Sequence, residues 1–419
     1  MDLESLLNRV SPLRPLSRSP FDTSPHAIFY YDPVSPSSIP AYLDIDPVLP
    51  PGATLATLMQ LKHLAPLAPR GIICDFRNLP ASSIPEISIH LHKLGQLASN
   101  LPRDSRVVII SPPDPLTSSL LAGFTLSLSK ECARDHKTVN MVTTSTPSTA
   151  LPTSTSFFLS GESAFITGQI VAGGIALQEK AGTAVVTGAG GGIGRSIAYF
   201  LSPHFDKVLL TDHETMAPEL DSLGAEIGNA EVMTLDVTAP SAGAAVASAA
   251  GEPIAALVHA AGITMDSMMK RMTRQKFERV MEVDYNAIVS IDQHLLKQEM
   301  FAPRASVVMV SSVSGVAGNA GQVNYSTAKS GLLGYAEQRT RDVDPDIAVW
   351  NNVAPGFIDT PMVKTIPSLN KIIIQRVLTS MQQKGKPADV AAAVRMLSRG
   401  GGGLRGQCLR VCGGMIIGR

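Results

Sequence analysis

Short apolar runs of strand length alternate with longer runs of helical periodicity along most of this chain. In the first part of the sequence the strand-like runs lie at residues 27–31, 71–75 and 107–110, and the helical patterns at residues 55–67, 84–101 and 120–132. Such an alternation predicts a parallel sheet covered by helices on both faces. Because it resumes beyond residue 180, it predicts an α/β protein with two doubly wound, Rossmann-like parallel-sheet domains.

The length of the chain agrees with two domains, and its charge limits the classes of partner that it is expected to bind. A chain of 419 residues exceeds one typical domain and suggests two. The charges of the 35 basic and 35 acidic side chains cancel, so the chain lacks the net positive charge that favours binding of nucleic acid. No apolar run is long enough to cross a bilayer. We therefore expect a small-molecule or carrier-linked substrate, no nucleic acid and no membrane span.

Cysteine content and the first residues bear on the compartment. Four cysteines do not make a disulfide framework in a chain of this length, which indicates a reducing compartment. Cys408 and Cys412 have no nearby His pair, so a core role is favoured over a metal site. Residues 1–25 are rich in Ser, Pro and Arg and are expected to be disordered. Their arginines suggest a mitochondrial presequence, but acidic residues and prolines among them favour the cytoplasm.

One stretch carries candidate chemistry. Tyr325 and Lys329 are four residues apart, so on a helix they share one face. Ser312 lies thirteen residues before Tyr325, after an apolar run at residues 307–310 that is typical of a buried strand. Lys329 would lower the pKa of the phenol and Ser312 would hold a carbonyl oxygen, so that Tyr325 donates a proton near neutral pH. An ordinary core strand and helix would show the same spacing, so this pair alone decides nothing.

A glycine cluster follows another strand-like run, at residues 183–187. Gly188, Gly190, Gly192 and Gly194 come next, before an apolar helical pattern. This strand–turn–helix order is the context of a dinucleotide fingerprint. Glycines let the backbone approach a pyrophosphate, and the helix N-terminus presents N–H groups to it.

The spacing Gly188-x3-Gly192-x-Gly194, with the Ser, Tyr and Lys above in register, resembles the short-chain dehydrogenases/reductases. Three further segments resemble the 3-oxoacyl-[acyl-carrier-protein] reductases of that family: residues 262–266, 318–325 and 353–360. The resemblance covers roughly residues 180–419 and implies a complete catalytic domain over residues 179–419.

The resemblance implies a nicotinamide cofactor and the residues that bind it. These are Gly188, Gly190, Gly192, Ile193, Gly194, Asp212, Asp236, Val237, Ala261, Gly262, Tyr325, Lys329, Pro355, Gly356, Ile358 and Thr360. Asp212 ends a strand-like run eighteen residues past Gly194, where a carboxylate accepts from the ribose hydroxyls and repels a 2′-phosphate. Position 191, often basic in NADP-preferring relatives, is Gly. NADH is therefore expected in preference to NADPH, although Asp212 could also simply cap the next turn.

The chain departs from the family pattern at two places. His259 and Ala260 stand where the family has two asparagines, and His259 is interpreted as a core or sheet-end residue. Asp284 stands where relatives have an Asn that marks a helix bend near the active-site Lys. Its carboxylate would favour protonated Lys329, so Asp284 joins Ser312, Tyr325 and Lys329 as a candidate catalytic residue.

An internal repeat suggests the origin of the first half. Residues 159–169 align with residues 397–407, because Gly-Gln lies nine residues after Leu-Ser in both and a Gly-Gly follows. We interpret residues 26–178 as a degenerate copy of the fold, since Asp32-Pro33-Val34-Ser35-Pro36 follows the first strand in place of glycines. A chance match of small residues is the alternative. The arrangement resembles the high-molecular-weight reductases, which carry a flavodoxin-like domain ahead of the catalytic one.

By resemblance, the expected reaction is NAD(P)H-dependent reduction of a 3-oxoacyl thioester, linked to acyl-carrier protein or CoA, to the 3-hydroxyacyl form. A pathway-specific ketoreductase or alcohol dehydrogenase acting on a polyketide, sterol or similar ketone is the alternative enzyme. A scaffold or cofactor-sensing protein is the alternative of another class, which an intact Ser, Tyr and Lys set argues against. A homodimer is expected because relatives pair through two long helices, here residues 277–298 and 326–342. Apolar positions on these helices would then need cover from a second copy: Val280, Ile288, Leu332 and Leu333.

Overall fold

The structure is a computed structural model, and it describes residues 28–31, 71–77, 84–144, 153–173, 182–361, 374–399 and 404–415. The chain divides into two compact units. Unit 1 comprises Met1–Ile175 and Ser368–Gln383, and unit 2 comprises Ala176–Pro367 and Lys384–Arg419. The predicted disordered segment at residues 1–25 and the predicted helix at residues 55–67 lie outside the described residues.

Unit 1 contains a parallel sheet whose five strands follow one another in chain order. The strands are β1 (Ile28–Tyr31), β2 (Gly71–Asp75), β3 (Arg106–Ser111), β4 (Thr138–Thr143) and β5 (Ile170–Ala172), and the helices α1 (Ile84–Asn100), α2 (Pro115–Cys132) and α3 (Thr153–Leu159). Every residue of β2 and β3 is buried, as expected of strands covered on both faces. Helix α2 begins where Asp114 accepts a hydrogen bond from the Thr117 amide at 2.7 Å.

Unit 2 contains a parallel sheet of seven strands in the order β12-β11-β10-β9-β6-β7-β8. Its strands are β6 (Thr183–Thr187), β7 (Lys207–Asp212), β8 (Ala230–Thr234), β9 (Ile254–His259), β10 (Phe301–Val310), β11 (Ala348–Pro355) and β12 (Cys408–Val411). Its helices are α4 (Gly192–Leu201), α5 (Ala217–Glu226), α6 (Ala242–Ala250), α7 (Arg274–Met281), α8 (Ala287–Lys297), α9 (Val313–Ala317), α10 (Val323–Asp342) and α11 (Pro387–Arg399). The α/β class with parallel sheets is confirmed.

The strand order of unit 2 reverses between β6 and β9. From β6 the chain proceeds outward through β7 and β8, then returns to pair β9 on the other side of β6. In open α/β sheets, ligands bind at such a reversal, in the crevice outside the carboxyl ends of the strands. The fold therefore places the candidate site at the ends of β6, β7 and β9.

The Gly–Gln segment before the last strand of unit 1 makes a distinct set of hydrogen bonds. The side chain of Asn140, on β4, accepts from the Gln169 amide at 3.0 Å and donates to the Ile166 carbonyl at 2.9 Å. Gly168 has a φ of +69°, and its amide donates to the Val139 carbonyl at 2.8 Å. This set of bonds, which we call the Asn–Gln hook, attaches the start of β5 to β4.

Unit 2 makes the same set of bonds before its own last strand. The side chain of Asn351, on β11, accepts from the Gln407 amide at 2.9 Å and donates to the Leu404 carbonyl at 2.7 Å. Gly406 has a φ of +66°, and its amide donates to the Trp350 carbonyl at 2.8 Å. The repeated letters of the sequence thus correspond to equivalent structure in the two units.

Two expectations from the sequence are wrong in detail. The apolar residues Val280, Ile288, Leu332 and Leu333 were expected to need cover from a second copy, but the first three are already buried within the chain and Leu333 is half-buried. The homodimer stays a prediction that light scattering would test, without support from these positions. Cys412 is buried, whereas Cys408 is exposed because β12 lies at the edge of the sheet.

Candidate active site

The turn between β6 and α4 is built so closely that only glycine fits at two positions. Gly188 has a φ of +69°, and a Cβ placed on it would lie 2.5 Å from the Ala261 amide nitrogen. A Cβ on Gly194 would lie 1.9 Å from the Gly188 carbonyl oxygen. The glycines therefore allow the first turn of α4 to pack directly on the end of β6, next to the residues that follow β9.

The same turn fits a dinucleotide. Gly192 starts α4 with a φ of +52°, and a Cβ there would meet only the side chain of Thr360, at 3.8 Å or more. The N-terminus of α4 thus opens onto space that no side chain of the turn fills. A helix N-terminus with a bare backbone in front of it binds a pyrophosphate through its N–H groups and its dipole.

Asp212, the last residue of β7, is held against this turn. One oxygen of its carboxylate accepts from the Gly190 amide at 2.8 Å, and the other accepts from the His213 amide at 2.7 Å. The sequence placed Asp212 near the ribose or in a cap of the next turn. The structure shows that it does bond the next residue's amide and that it also lies at the glycine turn.

The residues after β8 form a separate loop. Asp236 is exposed, and its carboxylate accepts from the Thr238 amide at 2.9 Å and the Thr238 hydroxyl at 2.7 Å. These bonds, the hydroxyl first, lower the pKa of Asp236. Val237 packs against the hydrophobic core of unit 2. Of this predicted pair, Asp236 is therefore the exposed residue and Val237 is partly buried.

The segment after β11 returns to the same region. Pro355 ends β11, and a Cβ on Gly356 would lie 2.6 Å from the Cys412 Cβ. Ile358 is buried and pairs with Gly385 through a parallel bridge. Only Thr360 of this predicted group is seen to approach the glycine turn, at Gly192.

Ser312, Tyr325 and Lys329 meet where β10 ends. Ser312 is the N-cap residue of α9, and its hydroxyl accepts from the Ser314 amide at 3.1 Å. Tyr325 is half-buried in the first turn of α10, and Lys329 follows one turn later with its Nζ 5.6 Å from the centre of the phenol ring. Ser312 interacts with the Tyr325 phenol and lowers its pKa.

The pKa of the Tyr325 phenol is raised. Burial is the largest cause, while the positive charge of Lys329 and the hydrogen bond from Ser312 lower the pKa by less. The Asp284 carboxylate raises it further. Lys329 thus changes the pKa of Tyr325 in the predicted direction. The predicted net lowering of that pKa is wrong, because burial raises it by more than the ammonium lowers it.

Asp284 lies in a π-helical turn, Glu282–Asn286, between α7 and α8, where the family resemblance implied a bend. Its carboxylate is fully buried, accepts from the Ile263 amide at 2.8 Å and lies 3.2 Å from the Lys329 Nζ. Lys329 also donates to the Val310 carbonyl at 3.0 Å. Burial lowers the pKa of Lys329, but Asp284 and Tyr325 together raise it more. The ammonium is therefore held in its protonated form.

Two residues next to Tyr325 were missed by the sequence analysis as site residues. Asn324 is buried and donates to the Met265 carbonyl at 3.2 Å and the Lys276 carbonyl at 3.3 Å. Gln322 accepts from the Ser314 hydroxyl at 3.0 Å and donates to Asp266 at 2.9 Å. Both lie within residues 318–325, a segment that resembles the 3-oxoacyl-[acyl-carrier-protein] reductases, and that resemblance could have identified them. They attach the start of α10 to α7, to α9 and to the loop after β9.

Within the described part of the chain, no helix is long and apolar enough to cross a membrane. The same residues contain no cluster of three or more His, Cys, Asp or Glu side chains arranged to hold a metal ion.

Comparison with known proteins identifies the family. The short chain dehydrogenase family model matches residues 182–370. The 3-oxoacyl-[acyl-carrier-protein] reductase FabG of Vibrio cholerae is 34% identical over 244 residues, which cover 56% of this chain and 97% of that protein. The (3R)-3-hydroxyacyl-CoA dehydrogenase of Canis lupus familiaris is 31% identical over 260 residues, covering 58% of this chain and 98% of that protein.

A solved structure is similar over the same share of the chain. It is a dehydrogenase/reductase from Sinorhizobium meliloti, with a TM-score of 0.51 and 26% identity, and the match covers 56% of this chain and 94% of that one. These relatives are matched over nearly their whole length. The chain therefore belongs to the short-chain dehydrogenase/reductase family and is an NAD(P)-dependent oxidoreductase.

Proposed function

We propose that unit 2 reduces a 3-oxoacyl thioester, linked to acyl-carrier protein or CoA, to the 3-hydroxyacyl form. The observation that carries this proposal is the meeting of Ser312, Tyr325 and Lys329 at the end of β10, in the sheet whose reversal point holds the glycine turn. Relatives named for 3-oxoacyl and 3-hydroxyacyl substrates, matched over this half of the chain, support the substrate class.

The side chains have distinct roles in the proposed reaction. A bound nicotinamide supplies the hydride that reduces the ketone carbon. Tyr325 donates its phenolic proton to the ketone oxygen, and its raised pKa keeps that proton in place until the oxygen becomes basic. Ser312 holds the oxygen by a hydrogen bond, and the charge of Lys329 stabilises the phenolate that remains. Asp284 keeps Lys329 charged.

Within the same proposal, NADH is the preferred cofactor. The Asp212 carboxylate lies at the glycine turn, fixed by two backbone amides, where it would accept from ribose hydroxyls and repel a 2′-phosphate. We expect kcat/KM to be higher with NADH than with NADPH for one substrate, and Asp212→Ser to reduce that preference. A wild-type preference for NADPH would show that a basic residue outside the predicted set binds the 2′-phosphate.

For unit 1 we propose a degenerate copy of the same fold that has lost its cofactor site. The shared Asn–Gln hook and the parallel sheet support common ancestry with unit 2. In the sequence, prolines follow β1 at the position where unit 2 has glycines, and proline has no N–H to offer a phosphate.

A substrate screen tests the proposed reaction. Oxidation of NADH and NADPH is followed with purified full-length protein against acetoacetyl-CoA, an acetoacetyl-carrier protein and a panel of simple, polyketide-like and sterol ketones. We expect the highest kcat/KM with a 3-oxoacyl thioester, and loss of that activity in Tyr325→Phe. A higher value with an unrelated ketone would favour the pathway-specific ketoreductase, and no Tyr325-dependent turnover of any ketone would overturn the proposal.

A further inference from the structure

Two fully buried aspartates lie on the helical segment that runs from α7 through the π turn into α8. Asp284 and Asp292 are eight residues apart, and both side chains are 0% exposed. A buried carboxylate is costly unless donors satisfy it, so its partners indicate what it holds. The two aspartates bond the opposite ends of one short stretch, residues 259–263, which we call the crossing segment.

Asp292 holds the first end. One of its oxygens lies 2.9 Å from the Nε2 of His259, and the other accepts from the indole N–H of Trp350 at 2.7 Å. All three side chains are buried. His259 is the last residue of β9 and lies in register with Thr187 of β6 on one side and Met309 of β10 on the other. Asp292 therefore fixes the point where the central strand ends.

Asp284 holds the second end. Its Oδ2 lies 3.2 Å from the Lys329 Nζ, and its Oδ1 accepts from the Ile263 amide at 2.8 Å. Between the two ends, the crossing segment packs against the glycine turn. The Ala261 amide donates to the Thr187 hydroxyl at 3.4 Å, and it lies so close to Gly188 that a Cβ there would be 2.5 Å away. A shift of the crossing segment would consequently move the backbone atoms that contact the glycine turn at Gly188.

We propose that Asp292 is a positioning residue for cofactor binding: through His259 it holds the crossing segment against the glycine turn, so that the cofactor crevice is formed before the cofactor arrives. This inference rests on NAD(P) binding at the turn and goes beyond the proposed substrate. Asp292 touches neither the turn nor the reacting groups named above, and its effect passes through His259. Pre-organisation of this kind lowers the cost of binding.

The test compares two substitutions of Asp292 in the full-length protein. Asp292→Leu removes both hydrogen bonds. Asp292→Asn is the matched control, because its carbonyl can accept from Trp350 while its amide can donate to the His259 ring nitrogen. NADH dissociation constants are measured from NADH fluorescence well below each variant's Tm, and kcat is measured at saturating NADH with the best ketone found.

We expect Asp292→Leu to weaken NADH binding about tenfold, as loss of a charge-assisted hydrogen bond would, with kcat at saturating NADH within about twofold of wild type. The asparagine control should bind NADH within about twofold of wild type. A merely structural role would lower the Tm of the leucine variant and leave its NADH dissociation constant unchanged, and that result would overturn the proposal.

A second variant keeps the inference testable if Asp292→Leu does not fold. His259→Phe keeps a ring of similar size and leaves the bond between Asp292 and Trp350 in place. It should also weaken NADH binding about tenfold if His259 transmits the effect, and an unchanged dissociation constant would refute this. Because NADH binding is measured without a ketone, failure of the substrate proposal would leave this comparison intact.

Discussion

At Tyr325, burial and charge act in opposite directions on one proton. Burial disfavours the phenolate and raises the pKa, while Lys329 and Ser312 favour the phenolate and lower it. The balance keeps the proton on the phenol, which suits a group that donates in the reducing direction. The spacing of Tyr325 and Lys329 could be read from the sequence, but the extent of burial could not, because it depends on elements far apart in the chain.

Replacing Tyr325 by Phe removes the proposed acid and little else. General acid catalysis contributes about 10²–10⁴-fold, so kcat should fall by about that factor while NADH binding stays nearly unchanged. Steady-state kinetics and NADH titration measure the two effects. The matched control is Tyr199→Phe, which removes a hydroxyl from an exposed tyrosine on α4. A Tyr325→Phe enzyme that keeps more than a third of wild-type kcat would rule out Tyr325 as the acid.

Replacing Asp284 by Asn should change the pH profile of the reverse reaction. Oxidation of a 3-hydroxyacyl substrate needs the phenolate, and the Asp284 carboxylate raises the pKa of Tyr325. With Lys329 still protonated, removing that charge lowers the pKa of Tyr325, so the acid limb of the kcat/KM profile should move to lower pH. The exposed acid Glu278, changed to Gln, is the control and should leave the profile in place. An acid limb that stays put or moves to higher pH in Asp284→Asn would contradict this role.

At the scale of single elements, periodicity predicted β1, β2, β3, β6 and α1 to within one residue, whereas α2 begins five residues and β10 six residues earlier than predicted. The helix predicted at residues 277–298 is in fact α7, a π turn and α8. Periodicity alone cannot show the π turn, because buried Asp284 turns toward Ile263 and Lys329, partners set by the tertiary fold. The bond between Asp292 and Trp350 was equally out of reach, since 58 residues separate the two.

The turn between β6 and α4 gives a prediction about a whole element. Gly194→Ala would place a Cβ 1.9 Å from the Gly188 carbonyl, so α4 must move away from the end of β6. Overpacking of this kind costs about 1–3 kcal/mol, and both the Tm and the affinity for NADH should fall. In Gly334→Ala, on α10, the new Cβ meets nothing within 4 Å. This control should be as stable as wild type or more stable, because glycine costs about 1 kcal/mol within a helix. Equal Tm values for both variants would contradict the packing argument.

At the scale of the whole molecule, the repeat at residues 159–169 and 397–407 was the most informative long-range signal in the sequence. It predicted equivalent positions in two sheets, and the Asn–Gln hooks lie at those positions. The sequence did not predict that residues 368–383 belong to unit 1. Local patterns do not show to which compact unit a connecting segment belongs, because that depends on packing with residues distant in the chain.

A titration of NADH into the full-length chain tests the proposal that unit 1 has lost its cofactor site. We expect one site per chain, because the glycine turn at residues 188–194 lies in unit 2. Gly192→Asp places a carboxylate where the pyrophosphate would lie and should abolish that site. Calorimetry gives the stoichiometry directly. A second site that survives Gly192→Asp would mean that unit 1 binds nucleotide itself.

The composition of unit 1 from two stretches of chain has a consequence for any attempt to dissect the protein. A fragment that begins at residue 176 would contain all of unit 2 and would still carry Ser368–Gln383, which belongs to unit 1. Within that stretch Met381 is 1% exposed, and separating the halves would expose apolar surface wherever unit 1 had covered it. Low solubility or a low Tm of such a fragment would then reflect a segment that has lost the rest of its unit. The appropriate comparison is a second fragment in which a short linker replaces residues 368–383.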